Sequence, residues 1–495
     1  MTKPLDLTTP VDVPELASIG LTVDRAALTR GILVLGSTGS GKTASVLAPL
    51  LFGLLREREA APLEHRSAVV VIDPKRELAS PVLASCAGVH VIAAEGTPPI
   101  DAFGSIDRDR ADAGVYTDHL LALAGESWEG VRDPFWRTSG REVLRDCVAL
   151  DLEFAVIGGG VADGHIRRAL FWRDLAQTCV NAGRLTAPEA RLLQSSQLPI
   201  SRYLCLLRLL AREPGAGPLP VKPSGADLVL TTLTAHLPSF APQALWRLPE
   251  LANETATSVV ATAASLVGAL SSARVQRAVR LDVLPAVRPT QRLSLFETIR
   301  RGEVVIYQPA DSSDESAAIG RALKSAVYNA VLYGAACLPD GRPQRLAALV
   351  IDEWPVVVTA GGVADHEYLA LCRGFGGATI LGAQSLAAIR ERLPGRSTDA
   401  VRAAITNTAT RVQLATTCPD TVQELRHLVG PPPVPGPHLL DVRSPAHFLP
   451  GEAVWVAPGA WGIGRVKLCS SLPRWNAPMR QELTPLQSAQ LTIEL

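Results

Sequence analysis

Residues 36–43 read GSTGSGKT, a glycine-rich octapeptide closed by a lysine and a hydroxyl residue. The spacing G-x-x-x-x-G-K-[ST] is that of a phosphate-binding loop. Gly36, Gly39 and Gly41 let backbone N–H groups turn inward around phosphate oxygens, and Ser37, Thr38 and Ser40 complete the cradle. Lys42 would neutralise β/γ-phosphate charge, and Thr43 would offer its hydroxyl to Mg2+, a hard cation that takes oxygen ligands. Only six of the 48 Lys and Arg residues are lysine, which makes a lysine at this position informative. Hydrolysis of a nucleoside triphosphate also needs one carboxylate near the metal and a second to orient the attacking water. Two acidic candidates compete: Asp73 ends VVVID and is followed by PKRE, whereas Asp352 ends ALVID and is followed directly by Glu353. The second supplies both groups. Asp352 is therefore the expected metal-site carboxylate and Glu353 the expected general base, with Asp73 and Lys75 as secondary nucleotide-site residues. Arg373, in RGFGG, is a candidate arginine finger acting on a neighbouring copy, and Gln384, at the end of ATILGA, a candidate γ-phosphate sensor. The expected ligands are ATP and Mg2+.

These residues need elements to hold them. Short apolar runs at 31–35, 68–72, 89–93, 304–307, 347–351, 378–381 and 412–415 read as strands, and several lead into helix-like segments at 43–58, 314–332 and 385–393. That alternation predicts an α/β fold with a mostly parallel sheet. Between 106 and 284 the pattern changes to Leu, Ala and Arg at three-to-four spacing, which predicts an all-α insertion. The expected division is 1–105 and 285–475 for the two parts of the nucleotide-binding domain, 106–284 for the insertion and 476–495 for a tail. A Pro/Gly-rich connection at 430–437 is expected to separate the last sheet elements from chain that packs back on the surface.

Composition narrows the function classes. The chain has 495 residues, 47% hydrophobic and 19% charged, which excludes disordered, collagen-like and coiled-coil classes. Lys plus Arg equals Asp plus Glu at 48 each, so net charge gives no argument for a nucleic-acid partner. A locally basic stretch, Arg274, Arg277, Arg280, Arg288, Arg292, Arg300 and Arg301, is able to meet phosphates, and Arg137, Arg141 and Arg145 would line one helix face. The eight cysteines stand singly, without zinc-site spacing. The first twenty residues carry no apolar region of signal-peptide length. Residues 255–273 contain no charge, but their seven Ser and Thr favour a buried or amphipathic helix over a membrane span.

Taken in order, GSTGSGKT, VVVIDPKREL, DPFWRTSGREVL, TSVVATAASLVGAL, ALVIDEWP, RGFGGATILGAQS and AITNTATRVQLATTCPD resemble the type IV secretion coupling proteins of the TraG/TraD kind, within the FtsK/HerA P-loop motor ATPases. The resemblance runs from about residue 31 to 430. It implies a RecA-like nucleotide-binding domain interrupted by an all-α domain and assembly as a homo-hexamer. It also implies recruitment of DNA with its bound relaxase, or of protein effectors, to type IV secretion channel components. It gives the nucleotide roles to Gly36, Gly39, Gly41, Lys42, Thr43, Asp352 and Glu353, with Arg373 and Gln384 as trans-acting and sensor positions. Such proteins usually begin with two transmembrane helices, and no span precedes residue 36 here. The expectation is a cytoplasmic protein: either a membrane-anchored partner subunit holds it peripherally at the inner membrane, or it acts in the cytosol as a soluble motor. The alternatives are a soluble HerA/FtsK-like DNA translocase unconnected to secretion, and a nucleotide-gated effector receptor with little hydrolysis.

Overall fold

The computed structural model describes residues 4–466 except 79–81, 83–85, 87–88, 93–98, 104–111, 126–133, 158–160, 196–197, 212–222, 241–242, 282–292, 310, 360–363, 393–396, 431–439 and 441–443. Its strands, in chain order, are β1 (Pro10–Val11), β2 (Val23–Asp24), β3 (Ile32–Leu35), β4 (Ala68–Ile72), β5 (Val89–Ile92), β6 (Ile100–Asp101), β7 (Val279–Arg280), β8 (Val304–Tyr307), β9 (Ala347–Ile351), β10 (Gly377–Ala383), β11 (Thr410–Gln413), β12 (Glu452–Ala457) and β13 (Ala460–Arg465). Nine of them form one sheet in the order β13-β12-β11-β3-β10-β9-β4-β8-β5. All pairings from β11 to β5 are parallel.

The residue types explain this sheet. ILVL, AVVVI, AALVI and GATILGA are buried throughout, as central parallel strands covered on both faces must be. Alternate residues serve two cores. Leu33, Leu35, Val70, Ile72, Leu349 and Ile351 face one side, where Asp314–Leu332 and the inserted helices pack. Ile32, Val34, Val69, Val71, Ala348 and Val350 face the other, against Leu50, Leu51, Leu54 and Leu55 of the helix Ala48–Ala60. A one-residue slip of any central strand would exchange the two sets, so burial fixes the register. That register brings the carboxyl ends of β3, β10, β9 and β4 to one edge: Leu35 lies beside Ala383, Leu381 beside Ile351, and Ile351 beside Ile72.

The stretch between β6 and β7 is helical among the described residues, from Ala113–Ala124 to Ala273–Ala278. Its two ends meet, because β6 and β7 pair in parallel through Ile100–Val279 and Asp101–Arg280. The divisions expected at 105/106, 284/285 and 475/476 lie outside the described residues. Residues 255–273 fall in the helix Asn253–Leu266 and the turn after it, and Ala256, Val259, Val260, Ala263 and Leu266 form one buried face. No helix among the described residues is long and apolar enough to cross a membrane.

One expectation is corrected. The sheet does not end before the Pro/Gly-rich connection: β12 and β13 extend it antiparallel beyond β11. Trp455 anchors this extension, its Nε1–H donating to the Ile19 carbonyl at 2.9 Å. Its indole fits over Gly462, where a Cβ would stand 2.6 Å from Nε1. AWGIGR lacks the β-branched density of a strand, and its glycines serve close approach instead.

Candidate nucleotide site

The octapeptide begins where β3 ends. Gly36 N–H donates to the Ala383 carbonyl of β10 at 3.1 Å, and Ser37 N–H donates to the Ala415 carbonyl at 2.8 Å, so both flanking strands tether the loop. Gly39 and Gly41 have φ of 80° and 89°, the left-handed region that favours glycine. At Gly41 space is limiting too: a Cβ would lie 3.0 Å from Ser45 Oγ and 3.2 Å from the Gly451 nitrogen. Helical backbone follows directly, starting with one π turn, Thr43–Leu47, in which Ala48 N–H reaches back to the Thr43 carbonyl. Pro49 offers no N–H to an α-helical ladder, and the wider turn before it accommodates that loss.

Across the same edge, residues from β9 and β4 close the site. Thr43 Oγ1 donates to Asp352 Oδ1 at 3.1 Å, and both groups are buried. Lys42 Nζ stands 3.7 Å from Glu353 Oε2, and Lys75 Nζ stands 3.0 Å from that oxygen and 3.9 Å from Asp352 Oδ2. Gly382 permits the approach of β9: a Cβ there would lie 2.5 Å from the Asp352 carbonyl oxygen. Burial pushes the Lys42 ammonium below the ordinary lysine range, with Lys75 adding to the effect and Glu353 opposing it. For Lys75 burial also opposes the charge, yet Asp352 and Glu353 together hold its pKa above the ordinary value.

The donor set fits a metal–triphosphate group. Lys42 Nζ, Ser40 Oγ, Ser45 Oγ and Asp352 Oδ2 are buried without a hydrogen-bond partner, an arrangement costly unless a ligand completes it. Thr43 and Asp352 are oxygen donors suited to Mg2+, and Gly39 opens into space, with nothing within 4 Å of a Cβ built on it.

The remaining sequence candidates are placed differently. Asp73 is buried one residue after β4, and its carboxylate accepts Glu77 N–H at 3.1 Å and Leu78 N–H at 2.8 Å, so it closes its own turn. Gln384 is exposed and directly follows β10 at the cradle's edge. Arg373 is exposed and precedes β10, at the opposite edge of the sheet. Seven strand residues at about 3.3 Å each separate it from its own cradle by roughly 20 Å. Three arginines of the basic stretch are engaged within the chain. Arg274 reaches Asp311 at 3.4 Å and Glu315 at 3.5 Å, and Arg300 reaches Glu297 at 2.6 Å. Arg301 pairs with Glu297 at 3.7 Å and Arg141 with Asp118 at 2.8 Å, while Arg288 and Arg292 lie outside the described residues.

Sequence reasoning missed Gly451, whose N–H donates to the Ser40 carbonyl at 2.9 Å and so pins the cradle from the β12 side. It also missed Gln413, buried under the loop with Nε2 donating to the Leu414 carbonyl at 2.8 Å and the Leu35 carbonyl at 3.3 Å. Neither had a local sequence signal, since Gln413 ends a strand, TRVQ, that also carries Thr410 and Arg411.

No protein-family model matches the sequence. The ATP-dependent RNA helicase dbp9 of Sclerotinia sclerotiorum is 45% identical over 53 residues, 11% of this chain, and the chain spans 9% of that protein's length. Among solved structures, the bacterial conjugative coupling protein TrwBdeltaN70, in its unbound form, has a TM-score of 0.55 at 15% identity, over 94% of this chain and 90% of that one. The plasmid coupling protein TrwB in complex with ADP and Mg2+ gives 0.55 at 14%, over 95% and 90%. The same protein with the non-hydrolysable ATP analogue ADPNP gives 0.54 at 14%, over 96% and 93%. The chain thus has the RecA-like P-loop fold of these coupling proteins, a mostly parallel sheet interrupted by helices.

Proposed function

We propose that the chain is an ATP-hydrolysing coupling protein of the type IV secretion and conjugation kind. The observation that carries the reading is the meeting of Thr43 and Asp352 at 3.1 Å, with Lys42 and Glu353 beside them, in a fold shared with a protein whose structures hold ADP with Mg2+ and an ATP analogue. Gly36 to Gly41 cradle the phosphates of ATP, and Lys42 turns from Glu353 to the β/γ-phosphates. Thr43 and Asp352 would hold Mg2+, which when bound would supply neutralisation of the charge that develops during phosphoryl transfer. Glu353 orients the attacking water and accepts its proton at a carboxylate oxygen.

Arg373 serves a neighbouring copy's site in a homo-hexameric ring, because its own cradle lies across the sheet; Gln384 senses the γ-phosphate. The inserted helices, expected over 106–284, engage the cargo, either DNA with its relaxase or a protein effector, for delivery to secretion channel components. The protein acts in the cytoplasm, at the inner membrane through an anchored partner. ATP turnover measured with and without single- and double-stranded DNA, across a salt series, tests this. A DNA motor gives stimulation that salt removes; no hydrolysis under any condition refutes the reading.

A further inference from the structure

The turn after β4 is strained, and its strain places one side chain. Arg76, at φ 60°, has the one positive φ outside glycine among the described residues. Such backbone is unfavourable for an L-residue and persists where its surroundings over-determine it. Here they do. The Asp73 carboxylate takes the N–H groups of Glu77 and Leu78, and the Arg76 guanidinium donates to the Pro309 carbonyl from Nε at 2.9 Å and from Nη2 at 2.7 Å. Arg76 N–H closes the turn on the Asp73 carbonyl at 3.2 Å. Between these two pinned residues stands Lys75.

Glu353 Oε2 is shared by two ammonium groups, Lys75 at 3.0 Å and Lys42 at 3.7 Å. Lys42 belongs to the cradle, and phosphates compete for it. Lys75 comes from another strand and a turn held independently of the cradle. When Lys42 moves to the nucleotide, Glu353 would otherwise face the negative γ-phosphate without a counter-charge, and like charge would push its carboxylate away.

We propose that Lys75 is a positioning residue that anchors Glu353 Oε2 while the other carboxylate oxygen takes the proton of the attacking water, and that it is not a ligand of the nucleotide. This corrects its expected place among the nucleotide-binding residues, and it rests on the ATPase reading with Glu353 as the base.

The test uses the full chain and four variants: Lys75→Met, Lys75→Arg, Glu353→Gln and the Lys75→Met/Glu353→Gln double. Turnover is measured with ATP and Mg2+, and affinity by equilibrium binding of ADP and of a non-hydrolysable ATP analogue, which also verifies folding. Lys75→Met should lower kcat by about 10- to 100-fold, since a misplacement near 1 Å costs on that order. Its nucleotide affinity should stay within about threefold of wild type, and Lys75→Arg should recover most of kcat because the charge is kept. In the Glu353→Gln background, Lys75→Met should change the residual single-turnover rate by less than about twofold, because both act through one group. The proposal is overturned by a Lys75→Met kcat within about twofold of wild type while Glu353→Gln is inactive. A tenfold or larger loss of affinity with kcat intact also overturns it, as does an additive double variant. A wild-type chain without ATP turnover sinks the underlying ATPase reading, a different result from any of these.

Discussion

Asp365→Asn is expected to be among the most damaging single substitutions outside the nucleotide site. Lys324 is fully buried in the helix Asp314–Leu332, and its Nζ meets Asp365 Oδ1 at 2.5 Å and Thr359 Oγ1 at 3.0 Å. Asp365 also accepts Tyr328 Oη–H at 2.6 Å and Thr359 N–H at 2.7 Å, which ties the chain leaving Glu353 to that helix. Burial pushes the Lys324 pKa down to about 8, against the pull of Asp365. An uncharged amide would leave the ammonium desolvated, and breaking a buried pair from one side costs about 3–5 kcal/mol. Lys324→Met/Asp365→Leu, which removes both charges, should stay much closer to wild type. The sign of the pH dependence follows from the lowered lysine: between about pH 8 and pH 10.5 the unfolded chain holds a proton that the folded chain has released, so this contribution to stability rises with pH. Urea unfolding followed by tryptophan fluorescence at pH 7.5 and pH 10 measures both effects. An unfolding free energy for Asp365→Asn within about 1 kcal/mol of wild type, or the same alkaline rise in the double variant, would refute the reasoning.

Gly41→Ala should lower nucleotide affinity at least about tenfold, since a side chain at φ 89° is strained and also meets Ser45 Oγ and the Gly451 backbone. Gly39→Ala, with open space around its Cβ, should lose less in the same binding titration. His119 is fully buried and burial lowers its pKa to about 4, so stability present above the unfolded value of 6.5 is lost as pH falls toward 4, by about 3 kcal/mol. His119→Leu should flatten that acid slope in urea unfolding at pH 7 and pH 4.5; an unchanged slope contradicts the assignment.

The central sheet was legible because its strands are continuous apolar runs ending at chemically marked residues: ILVL before the glycines, ALVID before Glu353. The same marks gave the cradle and its acidic partners, since spacing and residue type suffice to name a phosphate loop. What sequence could not show depends on pairing across the fold. Whether Asp73 or Asp352 meets Thr43 depends on β10 lying between β3 and β9, a neighbour relation no local pattern encodes. Asp73 read as a secondary nucleotide-site residue because its demand for the N–H groups of Glu77 and Leu78 is invisible until the turn is built. The arginine stretch read as free positive charge because Asp311 and Glu315, which answer Arg274, lie some forty residues further along the chain. Gly462 and Gly464 hid β13, since close packing on Trp455 and Ile19 leaves no β-branched signature.

The most direct measurement follows hydrolysis and binding in one sample of Glu353→Gln. If the glycine cradle and the acidic pair form a single catalytic centre, ATP turnover falls at least about a hundredfold while the affinity for ATP stays within several-fold of wild type. Turnover at the wild-type rate would contradict the account.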